Sequence, residues 1–237
     1  MWSETRRPDF LEGVVGHVEV KSQIRNYLMT KAFSNVILLH GPPGIGKTTM
    51  ALAATRSCLF DPMEVNASQS LRSFSDIDSL IQSSRHTRSI SALLQGHKRP
   101  MCLVLDEVDG SDPHAQRKLA EWMVSKERKV PVIMTCNEIP RIFKNVPEIL
   151  KLRCYPPKPA DLVELFPDKD VSALAKRYKH DVRRILQFLQ YGDSDIVPSI
   201  VLPNDCSPEV MSILKQKMSC KTDPILQAIA LGKPVSH

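Results

Sequence analysis

Residues 36–49 decide the fold of this chain, and they read Val36-Ile-Leu-Leu-His40-Gly41-Pro42-Pro43-Gly44-Ile45-Gly46-Lys47-Thr48-Thr49. The first five form an apolar run that is typical of a buried strand. Residues 48–59 carry apolar side chains at helical spacing, which predicts a helix. The loop between strand and helix matches the P-loop pattern G-x-x-x-x-G-K-[ST], and this setting is the one that such a motif requires.

The chemistry of this loop points to bound phosphate. Its glycines let backbone N–H groups curl around phosphate oxygens, and the N-terminus of the following helix adds a partial positive charge. We predict that Lys47 reaches the β- and γ-phosphates of a nucleotide and that the Thr48 hydroxyl binds Mg²⁺.

Another apolar strand, over residues 101–105, ends in two carboxylates, Asp106 and Glu107. The carboxyl end of a strand beside a P-loop is where a further magnesium-binding group belongs. We therefore predict that Asp106 joins Thr48 in holding the metal, directly or through water. Glu107 is then expected to orient and polarise the attacking water.

A polar side chain, Asn137, follows the predicted strand over residues 130–135. Its amide could hydrogen-bond the attacking water or the γ-phosphate. It could equally be an Asn that only turns the chain, since Asn favours turns. The residues alone give both interpretations equal weight.

The order of the predicted elements indicates an α/β fold. Strands over 36–40, 63–66, 101–105, 130–135 and 151–155 alternate with helices, including 71–81 and 113–124, which favours a parallel five-stranded sheet covered on both faces. Prolines after residue 155 predict a domain boundary. Residues 1–155 then form the nucleotide-binding domain, and short helices over 161–166, 171–178 and 182–191 form a helical lid over residues 156–192. The remaining 193–237 form a short tail or a remnant collar.

The composition excludes several classes of protein. Of 237 residues, 42% are hydrophobic and 24% charged, which is near the globular average and argues against wholesale disorder. No apolar run approaches the roughly 20 residues of a membrane helix and no signal peptide opens the chain, so we expect an intracellular protein without a membrane partner. Six scattered cysteines without a Cys-x-x-Cys pair argue against a zinc site or a disulfide framework.

The motifs and their order resemble those of the AAA+ ATPases. That order is a P-loop, an acidic strand end, a strand-end Asn and a later arginine motif, here Asp181-Val-Arg183-Arg184. Within the family, the clamp loaders are the most similar. Their N-terminal segment, which packs over adenine, resembles Arg7-Pro8 and Val15-Gly16-His17, and their Glu-Leu-Asn-Ala-Ser-Asp signature resembles residues 64–68. Residues 106–110, Asp-Glu-Val-Asp-Gly, are similar to the large subunit of replication factor C.

The resemblance implies a sliding-clamp loader subunit that binds ATP and Mg²⁺ and hydrolyses ATP. It implies ATP binding by Arg7, Pro8, Val15 and residues 41–49, with Glu107, Asn137 and Arg183 as catalytic residues. Arg183 would be the lid arginine that touches the γ-phosphate, and the alternative is a solvated basic pair with Arg184. The implied partners are a sliding clamp, other loader subunits in a hetero-oligomer and primer–template DNA. The implied location is a nucleus or a viral DNA-replication compartment.

The sequence departs from the family pattern in its tail and in its arginine finger. The 45 residues from 193 to 237 are fewer than a full collar needs, and with the compressed lid they suggest a reduced, viral form. The triplet Leu152-Arg153-Cys154 resembles the Ser-Arg-Cys finger of small subunits. Since Arg153 falls in the predicted fifth strand, we predict no finger, as in the large subunit.

Two further stretches bear on partners. Ile90, Leu93 and Leu94 have the spacing of the hook with which loader subunits bind a clamp, although an apolar stripe at this spacing is as readily part of a core. Residues 79–105 carry four basic and no acidic residues, and residues 141–184 carry 11 basic and 6 acidic ones. We expect salt-sensitive contacts with DNA phosphates in both stretches, and the resemblance to clamp loaders supports this expectation more than the charge does.

Two other functions stay open from the sequence. One is a nucleotide-gated replication scaffold that holds ATP and hydrolyses little of it. The other is a different AAA+ machine that processes DNA, such as a branch-migration motor or an origin-binding ATPase. The intact Glu107 and Asn137 favour the active loader subunit over the scaffold.

Overall fold

A computed structural model describes residues 5–30, 33–70, 99–125, 128–166 and 171–191 of the chain. Several features predicted from the sequence lie outside the described residues. They are the helix over 71–81, the stripe of Ile90, Leu93 and Leu94, and the tail over 193–237.

Five strands of the described part form one sheet, and every neighbouring pair is parallel. The strand order across the sheet is β2-β3-β4-β1-β5. This confirms the predicted α/β fold with a parallel five-stranded sheet. The strands are β1 (Val36–His40), β2 (Asp61–Asn66), β3 (Met101–Asp106), β4 (Val132–Cys136) and β5 (Ile149–Arg153).

Strand ends differ from the predicted ones where a neighbouring strand determines the pairing. β5 begins at Ile149 and not at residue 151, because Val36 of β1 pairs with Ile149. β2 begins two residues before its predicted start, because Asp61 pairs with Met101. Pairing register depends on the partner strand, so the apolar pattern of one strand does not determine it.

Helices lie on both faces of this sheet. None of the described helices is long and apolar enough to cross a membrane. The α-helices of the described ranges are α1 (Val18–Thr30), α2 (Lys47–Ser57), α3 (Ala67–Ser70), α4 (Pro113–Val124), α5 (Arg141–Lys144), α6 (Pro159–Leu165), α7 (Val171–Arg177) and α8 (Val182–Tyr191).

The sequence analysis did not identify α1. Ile24, Tyr27 and Leu28 are its buried residues, and they recur at helical spacing. The apolar signal is weak because most of its other side chains are polar. The Tyr27 hydroxyl donates to the Asn35 carbonyl (3.0 Å) and accepts from the Val132 N–H (3.1 Å). The helix is thereby tied to the start of β4.

Each face of the sheet has its own apolar core. Side chains alternate along β1, so that Ile37 and Leu39 pack with α1 and α2 on one face. Val36 and Leu38 pack with α4 on the other face, where Phe143 of α5 is fully buried. Burial on both faces explains why β1, β3 and β4 are nearly continuous apolar runs.

The region predicted as a lid folds into three short helices, α6, α7 and α8. They enclose a small core of their own, made by Leu162, Phe166, Val171, Ala175 and Ile185. The predicted helices agree with these elements to within a few residues at each end. The domain limit at residue 155 stays a prediction.

The strand order determines where a ligand can bind. The carboxyl ends of β1, β4 and β3 are neighbours at one edge of the sheet. The P-loop follows β1, Asp106 ends β3, and Asn137 follows β4. In α/β sheets, ligands bind outside this edge. Residues far apart in the sequence therefore meet at one place.

We expect Phe143→Ala to lower the free energy of unfolding by about 3–5 kcal/mol, because it removes a fully buried ring from the core beneath α5. Phe10→Ala is the matched control, since the Phe10 side chain is 61% exposed and its loss should cost under about 0.5 kcal/mol. Urea unfolding of the full chain measures both values. Equal losses for the two variants would show that the core assignment is wrong.

Candidate active site

Lys47 is the first residue of α2, and the loop before it holds its side chain in place. The Lys47 ammonium donates to the carbonyls of Gly41 and Pro42 (both 2.8 Å) and to Asn137 Oδ1 (3.0 Å). Only 8% of the residue is exposed. Burial lowers the pKa of this ammonium, while the nearby Asp106 counteracts part of the shift. A cation is therefore held at the mouth of the loop, where phosphates would bind.

Asp106 meets two hydroxyl groups at the end of β3. The Thr48 hydroxyl donates to Asp106 Oδ1 over 2.7 Å, and the Thr135 hydroxyl donates to the same oxygen. Hydroxyl and carboxylate oxygens are the ligands that Mg²⁺ prefers, and it commonly binds one or two carboxylates together with substrate phosphates. Thr48 and Asp106 therefore fit the predicted metal.

The described part of the chain contains no cluster of three or more His, Cys, Asp or Glu side chains that could hold a metal ion. All four described cysteines are free thiols.

Glu107 adopts a left-handed backbone conformation (φ 55°) directly after β3. Its Oε2 accepts a hydrogen bond from Asn66 Nδ2 (3.4 Å), and Ser68 Oγ lies 3.2 Å from the same oxygen. The sequence analysis had assigned no site role to Asn66 or Ser68. The sequence carried a signal for a role of these residues, because both belong to the signature at residues 64–68. In the sheet, Asn66 of β2 pairs with Asp106 of β3.

Asn137 contacts the site through its side chain, since Oδ1 accepts the hydrogen bond from Lys47. Its backbone N–H donates to Asp109 Oδ2 (2.9 Å), as does the N–H of Glu138 (3.3 Å). Asp109 therefore fixes the loop that carries Asn137, a role that the sequence analysis missed. The structure places Asn137 beside the lysine, and its catalytic role stays a prediction.

The lid contacts the P-loop through the start of α8. The Val182 N–H donates to the Gly44 carbonyl (3.0 Å). Asp181 lies against Gly44, and its Oδ1 accepts from the Arg184 N–H (3.0 Å), which caps the helix. The sequence analysis missed this role of Asp181.

The two adjacent arginines of α8 have different surroundings. Arg183 lines the same cleft as Lys47 and Glu107. The side chain of Arg184 is 71% exposed and pairs with Asp181 over 3.9 Å. Both side chains are exposed, so the γ-phosphate contact of Arg183 and the solvated basic pair both stay predictions.

An apolar pocket adjoins the phosphate cleft. The residues predicted to pack over adenine, Arg7, Pro8 and Val15, line it together with Ile45 and Thr49. Close by, His17 Nε2 lies 3.1 Å from the Ile45 carbonyl, and burial lowers the pKa of this imidazole. Because the Ile45 carbonyl can only accept, this hydrogen bond requires the tautomer with its proton on Nε2.

Arg153 ends β5 and pairs with His40 of β1. Its guanidinium carbon lies 5.0 Å from the centre of the Tyr155 ring, in a cation–π contact. A place within the strand agrees with the expectation that Arg153 is no arginine finger, which stays a prediction.

We expect Gly44→Ala to lower the melting temperature more than Gly46→Ala does. Both glycines have a positive φ (74° and 94°), so both variants strain the backbone. Only at Gly44 would the new Cβ collide with Asp181, whereas nothing lies within 4 Å of a Cβ at Gly46. Differential scanning calorimetry of the full chain measures the difference.

A double-mutant cycle tests the contact itself. Asp181→Ala removes the carboxylate that the new Cβ would meet, so Gly44→Ala should destabilise this background less than it destabilises wild type. Strict additivity of the two substitutions would show that the lid does not pack on Gly44.

Comparison with known proteins places this site in a family. Residues 37–154 match the family described as "ATPase family associated with various cellular activities (AAA)". These residues run from β1 through the P-loop, Asp106, Glu107 and Asn137 to the end of β5.

The chain is also similar to proteins named "Replication factor C large subunit". The protein from Thermococcus kodakarensis is 28% identical over 208 residues, which cover 80% of this chain and 40% of the relative. That from Methanococcus maripaludis strain C5 is 37% identical over 145 residues (58% and 28%), and that from Sulfolobus acidocaldarius is 34% identical over 145 residues (58% and 31%). The chain thus spans less than half the length of these curated relatives. The chain contains an AAA ATPase domain over residues 37–154 and resembles large subunits of replication factor C.

Proposed function

We propose that this chain is an ATP-binding and ATP-hydrolysing subunit of a sliding-clamp loader. The observation that carries the proposal is the contact of α8 with the P-loop, where the Val182 N–H donates to the Gly44 carbonyl. Arg183 is the next residue of α8, and it lines the cleft that also contains Lys47 and Glu107. A nucleotide there would touch sheet and lid together. The similarity to large subunits of replication factor C supports a clamp loader over other AAA ATPases.

Each residue of the cleft would have its own role in ATP hydrolysis. Lys47 and Arg183 would neutralise charge on the transferring phosphoryl group, and Asn137 would hold the γ-phosphate or the attacking water. Thr48 and Asp106 would hold Mg²⁺, which neutralises charge on the β- and γ-phosphates when bound. Glu107 would orient the water and accept its proton.

Arg183 would couple the identity of the bound nucleotide to the position of the lid. Arg183 attracts a γ-phosphate that is present with ATP and absent with ADP. Only a ligand that interacts differently with two states can shift their populations. ATP would therefore favour the lid position in which α8 lies against the P-loop, and ADP would favour it less. In a loader, that difference would drive clamp opening and release.

A second candidate is a nucleotide-gated scaffold with little hydrolysis of its own. The hydrogen bond that Glu107 Oε2 accepts from Asn66 Nδ2 favours it, because a carboxylate engaged by a neighbouring side chain is less free to turn towards an attacking water. Both candidates predict low turnover for the isolated chain. Only the active loader subunit predicts that partners release Glu107 and that turnover then rises.

The proposed partners are a sliding clamp, other loader subunits and primer–template DNA. The proposed clamp contact is the stripe Ile90, Leu93 and Leu94, which the sequence predicts outside the described residues. DNA contact would be directed at the phosphate backbone and would weaken steeply with salt.

We expect Lys47→Ala to weaken ATP binding by at least about 100-fold, because it removes the buried cation that would meet the phosphates. Lys144→Ala removes an exposed lysine of α5 and should leave affinity unchanged. Titration with a fluorescent ATP analogue measures both. Unchanged affinity in Lys47→Ala would remove the P-loop from nucleotide binding.

Glu107→Gln should keep ATP binding and slow turnover by about 10²- to 10⁴-fold, because it removes a base without removing a phosphate contact. Glu138→Gln is the matched control, since Glu138 is exposed and lies outside the cleft lining. Steady-state phosphate release, measured with partner subunits present, compares the two. Wild-type turnover in Glu107→Gln would exclude Glu107 from the chemistry.

Turnover of the purified chain should be low, and it should rise when small clamp-loader subunits, the clamp and primed DNA are added. Mass spectrometry of proteins that co-purify with the tagged chain identifies which subunits to add. Turnover by the chain alone that equals that of the assembly would exclude the need for a neighbour. Association with the partners but no rise in turnover would favour the scaffold.

A further inference from the structure

Thr135 connects the two acids of the site, Asp106 and Glu107. It is 2% exposed and lies near the end of β4. Its hydroxyl donates to Asp106 Oδ1 and accepts a hydrogen bond from the Glu107 N–H (3.3 Å). One hydroxyl therefore contacts the side chain of the proposed metal ligand and the backbone of the proposed base.

Both contacts bear on orientation. Asp106 Oδ1 accepts a second hydrogen bond, from Thr48, so the two threonines hold the carboxylate from β4 and from α2. Glu107 has a left-handed backbone, which a non-glycine residue adopts at a cost, and the bond from its N–H to Thr135 helps to hold it there. The same hydrogen bond ties the turn after β3 to β4.

We propose that Thr135 is a positioning residue that orients the Asp106 carboxylate toward Mg²⁺ and fixes the backbone turn that carries Glu107. It touches neither nucleotide nor metal in this role and acts through the two acids. The inference rests on the proposed nucleotide site, in which Asp106 is a magnesium ligand. Hydrogen-bonding partners of a metal ligand typically change metal affinity by about 10- to 100-fold when they are removed.

Three variants separate positioning from packing. Thr135→Val keeps the volume and removes the hydroxyl. Thr135→Ser keeps the hydroxyl and removes a methyl group. Asp106→Ala removes the proposed ligand itself and serves as the reference for loss of the metal. If Thr135→Val does not fold, Thr135→Ala takes its place.

The readout is binding and does not depend on turnover. The affinity of the full chain for a fluorescent ATP analogue is measured in excess Mg²⁺ and in excess EDTA, and the ratio gives the gain that Mg²⁺ provides. We expect Thr135→Val to reduce this gain by about 10- to 100-fold, Thr135→Ser to retain it, and affinity in EDTA to stay unchanged in both. Melting temperatures of the variants are recorded alongside.

Three results would overturn the proposal. The first two concern Thr135 alone, and the third concerns the magnesium site itself. If Asp106→Ala abolishes the gain while Thr135→Val retains it, or if Thr135→Ser loses it as Thr135→Val does, Thr135 does not position the ligand and the metal site stands. If Asp106→Ala itself retains the full gain, the proposed magnesium site at Asp106 fails, and the role of Thr135 fails with it.

Discussion

The place of β4 between β1 and β3 is the constraint on which the site depends. The lysine follows β1 and the carboxylate proposed to bind Mg²⁺ ends β3, so the two do not lie on adjacent strands. β4 bridges them with two polar side chains, since Asn137 contacts Lys47 and Thr135 contacts Asp106. With a different strand order, the chain would contain the same motifs, but their side chains would not meet at one site.

The lid adds a second connection, from the opposite side of the loop. α8 reaches the P-loop through a backbone hydrogen bond to Gly44, and Asp181 both caps this helix and packs against the glycine. The apolar pocket proposed for adenine joins residues of the N-terminal segment, the P-loop and the lid. A bound nucleotide would therefore contact three parts of the chain, and this would be the physical basis of the proposed coupling between nucleotide and lid.

Local patterns predicted much of the fold and the centre of the site. A P-loop, an apolar strand with an acidic end and a helix that begins at proline each contain their signal within a dozen residues, so β1, β3 and α4 were predicted to within a residue or two. Other features depend on residues distant in sequence. Val36 determines where β5 starts, and only three buried side chains identify α1. The roles of Asn66, Asp109, Thr135 and Asp181 arise from contacts between elements, which the periodicity of a single element does not record.

A crystal structure of the full chain with Mg²⁺ and a non-hydrolysable ATP analogue tests the central claim most directly. The account predicts adenine in the pocket of Arg7, Pro8 and Val15, phosphates on the P-loop beside Lys47, and Mg²⁺ bound by Thr48 with Asp106. It also predicts the Arg183 guanidinium at the γ-phosphate with α8 still seated on Gly44. A nucleotide bound elsewhere, or Arg183 turned away from a γ-phosphate that Lys47 holds, would contradict the proposed coupling of nucleotide and lid.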